Sequence, residues 1–138
     1  MKDRVVFTVR HGHCHIEDGD EVLSNFGVDQ ARWLAKKALN HKTEAILYSP
    51  AKRTEQIAQI VNAMTGVPIK PCDHLWFGDG GMIKDEIEAF FQIINLIKKH
   101  EINPKVVILI THFEGTQKIP HLGKKHFPMA HWKPIDDE

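Results

Sequence analysis

The sequence has no surplus of either charge: 18 Lys and Arg are matched by 18 Asp and Glu, for a formal net charge of zero. A nucleic-acid-binding domain usually carries a basic surplus, so no nucleic-acid partner is expected. No apolar run approaches the roughly 18 residues that a membrane span requires, so no membrane partner is expected either. The apolar stretch behind Lys2 and Arg4 is too short for the h-region of a secretory signal. Cysteine is scarce. Cys14 and Cys72 could form one bridge at most, and without an export signal they are expected as reduced thiols in a cytoplasmic protein. No internal repeat, low-complexity tract or Gly/Ser linker divides residues 1–138, so a single domain is expected. With 42% hydrophobic and 26% charged residues the composition is that of an ordinary globular protein, and its ten histidines are its one hint of chemistry.

What the chain does contain is an alternation of short apolar runs and helical stripes. Arg4–Val9 is β-branched and almost continuously apolar, the pattern of a strand covered on both faces. His13–Val22 is polar and acidic around an Asp18-Gly19 turn signal and is expected as a loop. From Gly27 to about Leu39, Ala31, Leu34, Ala35 and Ala38 follow a helical spacing, with Ser24 as a candidate cap. Ala45–Tyr48 is a second apolar run, followed by Ser49-Pro50 as a predicted N-cap and N1 pair. The helix after it carries Ile57, Ile60, Val61 and Met64 on one face and stops near Gly66. Val67–Leu75, broken by Pro68 and Pro71, has room for a short edge strand at most. A glycine-rich loop over Phe77–Met82 precedes the clearest amphipathic stripe, Ile83 to Ile97, and Val106–Ile110 is again fully apolar. Beyond Phe113, Pro120, Gly123, Pro128 and Pro134 leave room only for short helical turns. The alternation predicts an α/β protein: three layers, α/β/α, with a small, mainly parallel sheet, flanking helices and a shortened C-terminal element.

Three chemistry-bearing segments each lie just past the carboxyl end of a predicted strand. They are Arg10-His11-Gly12, Ser49 to Arg53, and Thr111-His112. Parallel strands bring all three to one rim, where open α/β sheets bind their ligands. Arginine grips phosphate with a planar fork, histidine can attack phosphorus covalently, and glycine lets a ligand approach the backbone. Arg53 would stand in the first turn of a helix, where free N–H groups also favour an anion. Arg10 and His11 alone read equally well as a strand-end ion pair and a packed histidine. Together with Arg53 and His112 they describe a phosphoryl pocket.

At these residues the chain resembles the histidine phosphatase superfamily, the phosphoglycerate-mutase-like proteins. The resemblance runs through Val6–Gly12, Leu23–Ala31, Tyr48–Arg53 with Gln56 and Ala58, and Val107–His112, in the family's order. It implies that His11 is the nucleophile and is phosphorylated on nitrogen. Arg10, Gly12, Ser49, Arg53 and His112 would bind the phosphoryl group, with Arg10, Arg53 and His112 catalytic beside His11. His13 stands where many relatives have glutamate, and Phe113 stands where the acid-phosphatase branch has its proton-donating aspartate, which argues against that branch. Asp79, Asp85 and Glu86 are the nearest candidates for a general acid, Asp79 first because its loop is glycine-rich. The length is similar to that of the small phosphohistidine phosphatases of the superfamily. A phosphohistidine substrate also relaxes the need for an acid, because imidazole leaves more readily than an alkoxide.

The expected activity is therefore metal-independent removal of a phosphoryl group through a phosphohistidine intermediate, with phosphohistidine of a protein partner as substrate and no cofactor. A small-molecule phosphomonoesterase and a non-catalytic phosphate-binding module are the alternatives. His11, His13 and His15 alternate and could be metal ligands on a strand, but the acidic turn after them reads as loop, and no metal site is expected. Cys14 is expected as an inert thiol.

Overall fold

The computed structural model describes residues 5–10, 14–75, 92, 95, 96, 105–112 and 129–132. Strand β1 (Val5–Arg10) leads into a two-stranded hairpin, β2 (Cys14–Glu17) and β3 (Asp20–Leu23), and then helix α1 (Asn25–Asn40). Strand β4 (Ala45–Tyr48), helix α2 (Lys52–Thr65) and strand β5 (Ile69–Pro71) follow, and β6 (Val106–Thr111) and β7 (Met129–Trp132) are the last strands among the described residues. The main sheet has the order β5-β4-β6-β1-β7, and every neighbouring pair in it is parallel. This is the α/β fold the alternation predicts.

The apolar runs are continuous because the sheet is covered on both faces. Phe7, Val9, Ile46, Tyr48, Ile108 and Ile110 join one core cluster with Ala31, Leu34, Ala35 and Ala38 of α1 and Ile57, Ala58 and Val61 of α2. The residues that alternate with them, Val6, Ala45, Leu47, Val107 and Leu109, are buried just as deeply. On α2 the buried face runs through Thr54, Ile57, Ala58 and Val61. Met64 of the predicted stripe turns outward and is exposed, because the sheet meets the helix about one residue round from the stripe's centre.

Local chemistry sets the ends of the helices. The Ser24 hydroxyl accepts from the amide of Gly27 at 3.1 Å, so α1 starts at Asn25, two residues ahead of the expected Gly27. Gly66 closes α2 with φ +75°, a left-handed conformation that glycine adopts without a Cβ penalty. The N-cap of α2 is Ala51 and not Ser49, which corrects the predicted Ser49-Pro50 pair. Ser49 still belongs to the sheet ladder, its amide donating to the Ile110 carbonyl at 3.0 Å, and its hydroxyl is engaged elsewhere.

Two further expectations change. Residues 14–23 are a hairpin rather than a loop: Asp18 and Gly19 both take positive φ, 51° and 84°, in the two-residue turn between Glu17 and its partner Asp20. The hairpin lacks apolar alternation because much of it faces water, Ile16 being 74% exposed while Val22 and Leu23 are buried. The tail holds a strand as well as its proline breakers: Val6 to Val9 pair with Met129 to Trp132. The five residues between Pro128 and Pro134 have room for a four-residue edge strand, where flanking prolines are tolerated. The described part of the C-terminal segment is thus a parallel strand at the edge of the sheet. The amphipathic stripe over 83–97 lies outside the described residues except for Gln92, Asn95 and Leu96, which are helical.

Candidate active site

Parallel pairing aligns the strand ends residue by residue. Arg10 stands opposite Thr111, and Tyr48 opposite Ile110, so Arg10, Ser49 and Thr111 lie at one level across three adjacent strands. His112 follows immediately, and α2 begins three residues beyond Ser49. No side chain caps the N-terminus of α2, which leaves first-turn amides available to an anion at this rim. The Thr54 hydroxyl braces the approach to the helix by donating to the carbonyls of Ser49 at 2.5 Å and Ala51 at 2.8 Å.

Ser49, His112 and Arg53 form a chain of hydrogen bonds. The Ser49 hydroxyl lies 2.7 Å from His112 Nε2, and an Arg53 Nη2–H donates to His112 Nδ1 at 3.2 Å. A guanidinium can only donate, so Nδ1 accepts and the ring proton sits on Nε2, where it donates to Ser49. Ser49 is fully buried and His112 is 5% exposed, so the ring is fixed at both nitrogens in a place shielded from water. Glu21 Oε2 of the hairpin also lies 3.5 Å from Arg53 Nε.

Cys14, half-buried at the start of β2, lies within the field of these charges. Burial pushes its thiol above the ordinary range and the Glu21 charge adds to this, against the opposing pull of Arg53 and Arg10. The thiol therefore stays protonated, and neither cysteine is in a disulfide.

Of the residues singled out in the sequence, Arg10, Ser49, Arg53 and His112 come to one rim. His11, Gly12, Asp79, Asp85 and Glu86 lie outside the described residues, as do His13 and Phe113. The exposed ring of His15 lies 3.3 Å from Glu17, and among the described residues no group of three or more His, Cys, Asp or Glu could hold a metal ion. Sequence reasoning missed Glu21. The signal that could have found it is Asp18-Gly19, which turns the chain back so that residue 21 returns beside residue 16 and toward the rim. A groove of about 320 Å³ lined by Leu23, Val28, Gln56, Gln59, Ile60 and Ala63 holds none of the rim residues.

Comparison with known proteins agrees with this fold. The chain is similar in structure to the protein histidine phosphatase SixA complexed with tungstate, at 21% identity and a TM-score of 0.66 over 94% of this chain and 83% of that one. SixA of Agrobacterium tumefaciens gives 19% identity and a TM-score of 0.62 over 88% of this chain and 76% of that one. The mycobacterial glucosyl-3-phosphoglycerate phosphatase in complex with VO3 gives 16% identity and a TM-score of 0.65 over 86% and 81%. No curated protein sequence matches the chain significantly. The family model for the histidine phosphatase superfamily (branch 1) matches residues 6–76, just over half of the sequence, from the strand that ends in Arg10 through the helix that carries Arg53. The chain therefore belongs to the histidine phosphatase superfamily and is a phosphatase, a hydrolase of phosphoryl groups.

Proposed function

We propose that this phosphatase works through a covalent phosphohistidine on His11 and acts on phosphohistidine carried by a protein. One observation carries the reading: Arg53 is locked against the buried His112–Ser49 pair at the strand end next to Arg10, and His11 is the residue that follows Arg10. Phosphoryl transfer asks chiefly for positioning and for charge neutralisation. Arg10 and Arg53 supply cations and His112 supplies an oriented ring. Gly12 admits the ligand close to the backbone. Ser49 serves through His112, whose Nε2–H it accepts.

In the first step an unprotonated nitrogen of His11 attacks phosphorus, the bond from phosphorus to the leaving group breaks, and the leaving group departs with that electron pair. In the second, water attacks the phosphohistidine, releasing inorganic phosphate and restoring His11. Two structural neighbours were solved with tungstate and VO3, phosphate-like oxyanions, which supports an oxyanion site here. The SixA neighbours support a phosphoprotein substrate, and two cysteines outside any disulfide fit a reducing, cytoplasmic setting. Among the described residues no helix is long and apolar enough to cross a membrane.

The test is incubation with a radiolabelled phosphohistidine peptide. Wild type should take up an acid-labile label and release phosphate, and His11→Ala should do neither. Turnover retained by His11→Ala, or a label that survives mild acid, would refute the mechanism. A second reading, a small-molecule phosphomonoesterase with Asp79 as proton donor, is favoured by the likeness to the glucosyl-3-phosphoglycerate phosphatase. It requires Asp79→Asn to impair an alkyl phosphate and to spare an aryl phosphate, whose leaving group needs no proton.

A further inference from the structure

Among the described residues, Glu21 is a carboxylate at the rim that the phosphoryl chemistry leaves unassigned. Glu21 sits 3.5 Å from Arg53 Nε with its side chain 52% exposed. Nε is buried and makes no hydrogen bond, so charge alone links the two groups. Among the described residues the Glu21 carboxylate makes no hydrogen bond, and a carboxylate has about four acceptor positions to offer. Its place is nonetheless well defined. The next two residues, Val22 and Leu23, are buried, and the Leu23 amide donates to Gln56 Oε1 at 2.9 Å, one turn along α2 from Arg53. The charge of Glu21 also reaches Cys14 on the neighbouring strand, the same group that feels Arg10 and Arg53. Glu21 thus stands beside Arg53 at the rim.

A fixed negative charge beside a phosphate site works against a dianionic phosphate ester. It works in favour of a donor whose leaving group carries a positive charge. We propose that Glu21 is a specificity-determining residue that selects N-phosphoryl donors with a protonated leaving group, phosphohistidine in its imidazolium form, by accepting a hydrogen bond from the ring N–H that does not carry phosphorus. The inference rests on the phosphatase reading above and adds the reason for its substrate class. In this step His11 nitrogen bonds to phosphorus while the phosphorus–nitrogen bond of the donor breaks. The freed pair stays on the departing nitrogen and cancels the imidazolium charge. The proton is already on the other ring nitrogen, so the leaving group departs as neutral imidazole with no acid required from the enzyme. Glu21 remains a carboxylate throughout. An alkyl ester, which leaves as an alkoxide, gains nothing from such a neighbour.

The test compares kcat/KM for a phosphohistidine peptide and for p-nitrophenyl phosphate in the full chain and in Glu21→Gln, which keeps the shape and removes the charge. The variant should lose about 10-fold on the peptide, the worth of a hydrogen bond to a charged group. It should gain about threefold on the aryl phosphate as the exposed repulsion is removed. Glu21→Asp, which keeps the charge on a shorter arm, should stay nearer the wild-type ratio, and its thermal melt controls for folding. Equal losses on both substrates would assign Glu21 to holding Arg53 and overturn the proposal. A wild type that hydrolyses the aryl phosphate and ignores the peptide would overturn it too while leaving the phosphatase intact. A wild type inactive on both would overturn the phosphatase reading as well.

Discussion

Replacing Ser49 by alanine removes one oxygen atom from a place that water does not reach. Ser49 is fully buried and His112 nearly so, and the deleted oxygen is the acceptor, at 2.7 Å, for the ring proton on Nε2. That proton cannot move to Nδ1 while Arg53 donates there at 3.2 Å. The variant must therefore leave a buried N–H unpaired, at a cost of about 1–3 kcal/mol, or release the ring from Arg53. In a chain of 138 residues each kcal/mol moves the melting midpoint by about 3–4 °C, so calorimetry should show a fall of about 3–12 °C. A ring displaced by even a fraction of its bond length no longer presents Arg53 correctly, and kcat/KM on an aryl phosphate should drop about 10- to 100-fold. The assay that isolates the cause is a double-mutant cycle. In a His112→Ala background the same substitution should cost less than about 0.5 kcal/mol, as expected when the partner is already gone. An equal loss of stability in both backgrounds would refute the argument, because Ser49 would then be acting through the sheet and not through His112.

Gly66→Ala forces a Cβ into φ +75°, yet nothing lies within 4 Å of that atom. The cost is purely conformational, about 1–2 kcal/mol in a denaturant melt with activity unchanged, and a neutral result would show that the C-cap relaxes. Cys14 should react with iodoacetamide more slowly than free cysteine near neutral pH, and its rate should still be climbing where that of a free thiol has levelled off, because burial raises its pKa. The same shift means that the folded chain holds this proton longer than the unfolded one. The associated stability is complete below the ordinary thiol range and is lost as pH rises through the folded value. Alkylation faster than that of free cysteine at neutral pH would show that Arg53 and Arg10 outweigh burial.

Much of the architecture was legible because buried parallel strands and amphipathic helices leave strong periodic signals. Val5–Val9, Ala45–Tyr48 and Val106–Ile110 are runs that only a doubly covered strand explains, and Ser24 and Gly66 punctuate their helices as expected. Arg10, Arg53 and His112 could be grouped from sequence since parallel strands share one carboxyl rim. The hairpin was missed because its outer residues, His15, Ile16 and Glu17, face water and so carry no alternation, and Glu21 was missed with it. Serine before proline usually caps a helix, and the local sequence around Ser49 predicts that role. The competing claim came from His112, 63 residues away, and no local pattern announces such a partner. Strand β7 is hidden for a similar reason: five residues between prolines have no period to detect, and four of them become a strand because β1 offers an edge.

That edge has a consequence for how the chain is made. β1 emerges first in synthesis, yet its sheet partners are residues 106–111 and 129–132. Until those arrive, the strand that ends in Arg10 is an unpaired row of amides and carbonyls, open to any other strand that comes near. Among the described residues the main sheet has no hairpin to nucleate it, since all its pairings are parallel crossovers, and such non-local closures are slow. The first-made strand of the site is thus finished last. Protection of the β1 amides, rather than of either helix, is the marker of a completed molecule, and a nascent or truncated chain lacking residues 129–132 would show its helices while still presenting β1 as a site for misassembly.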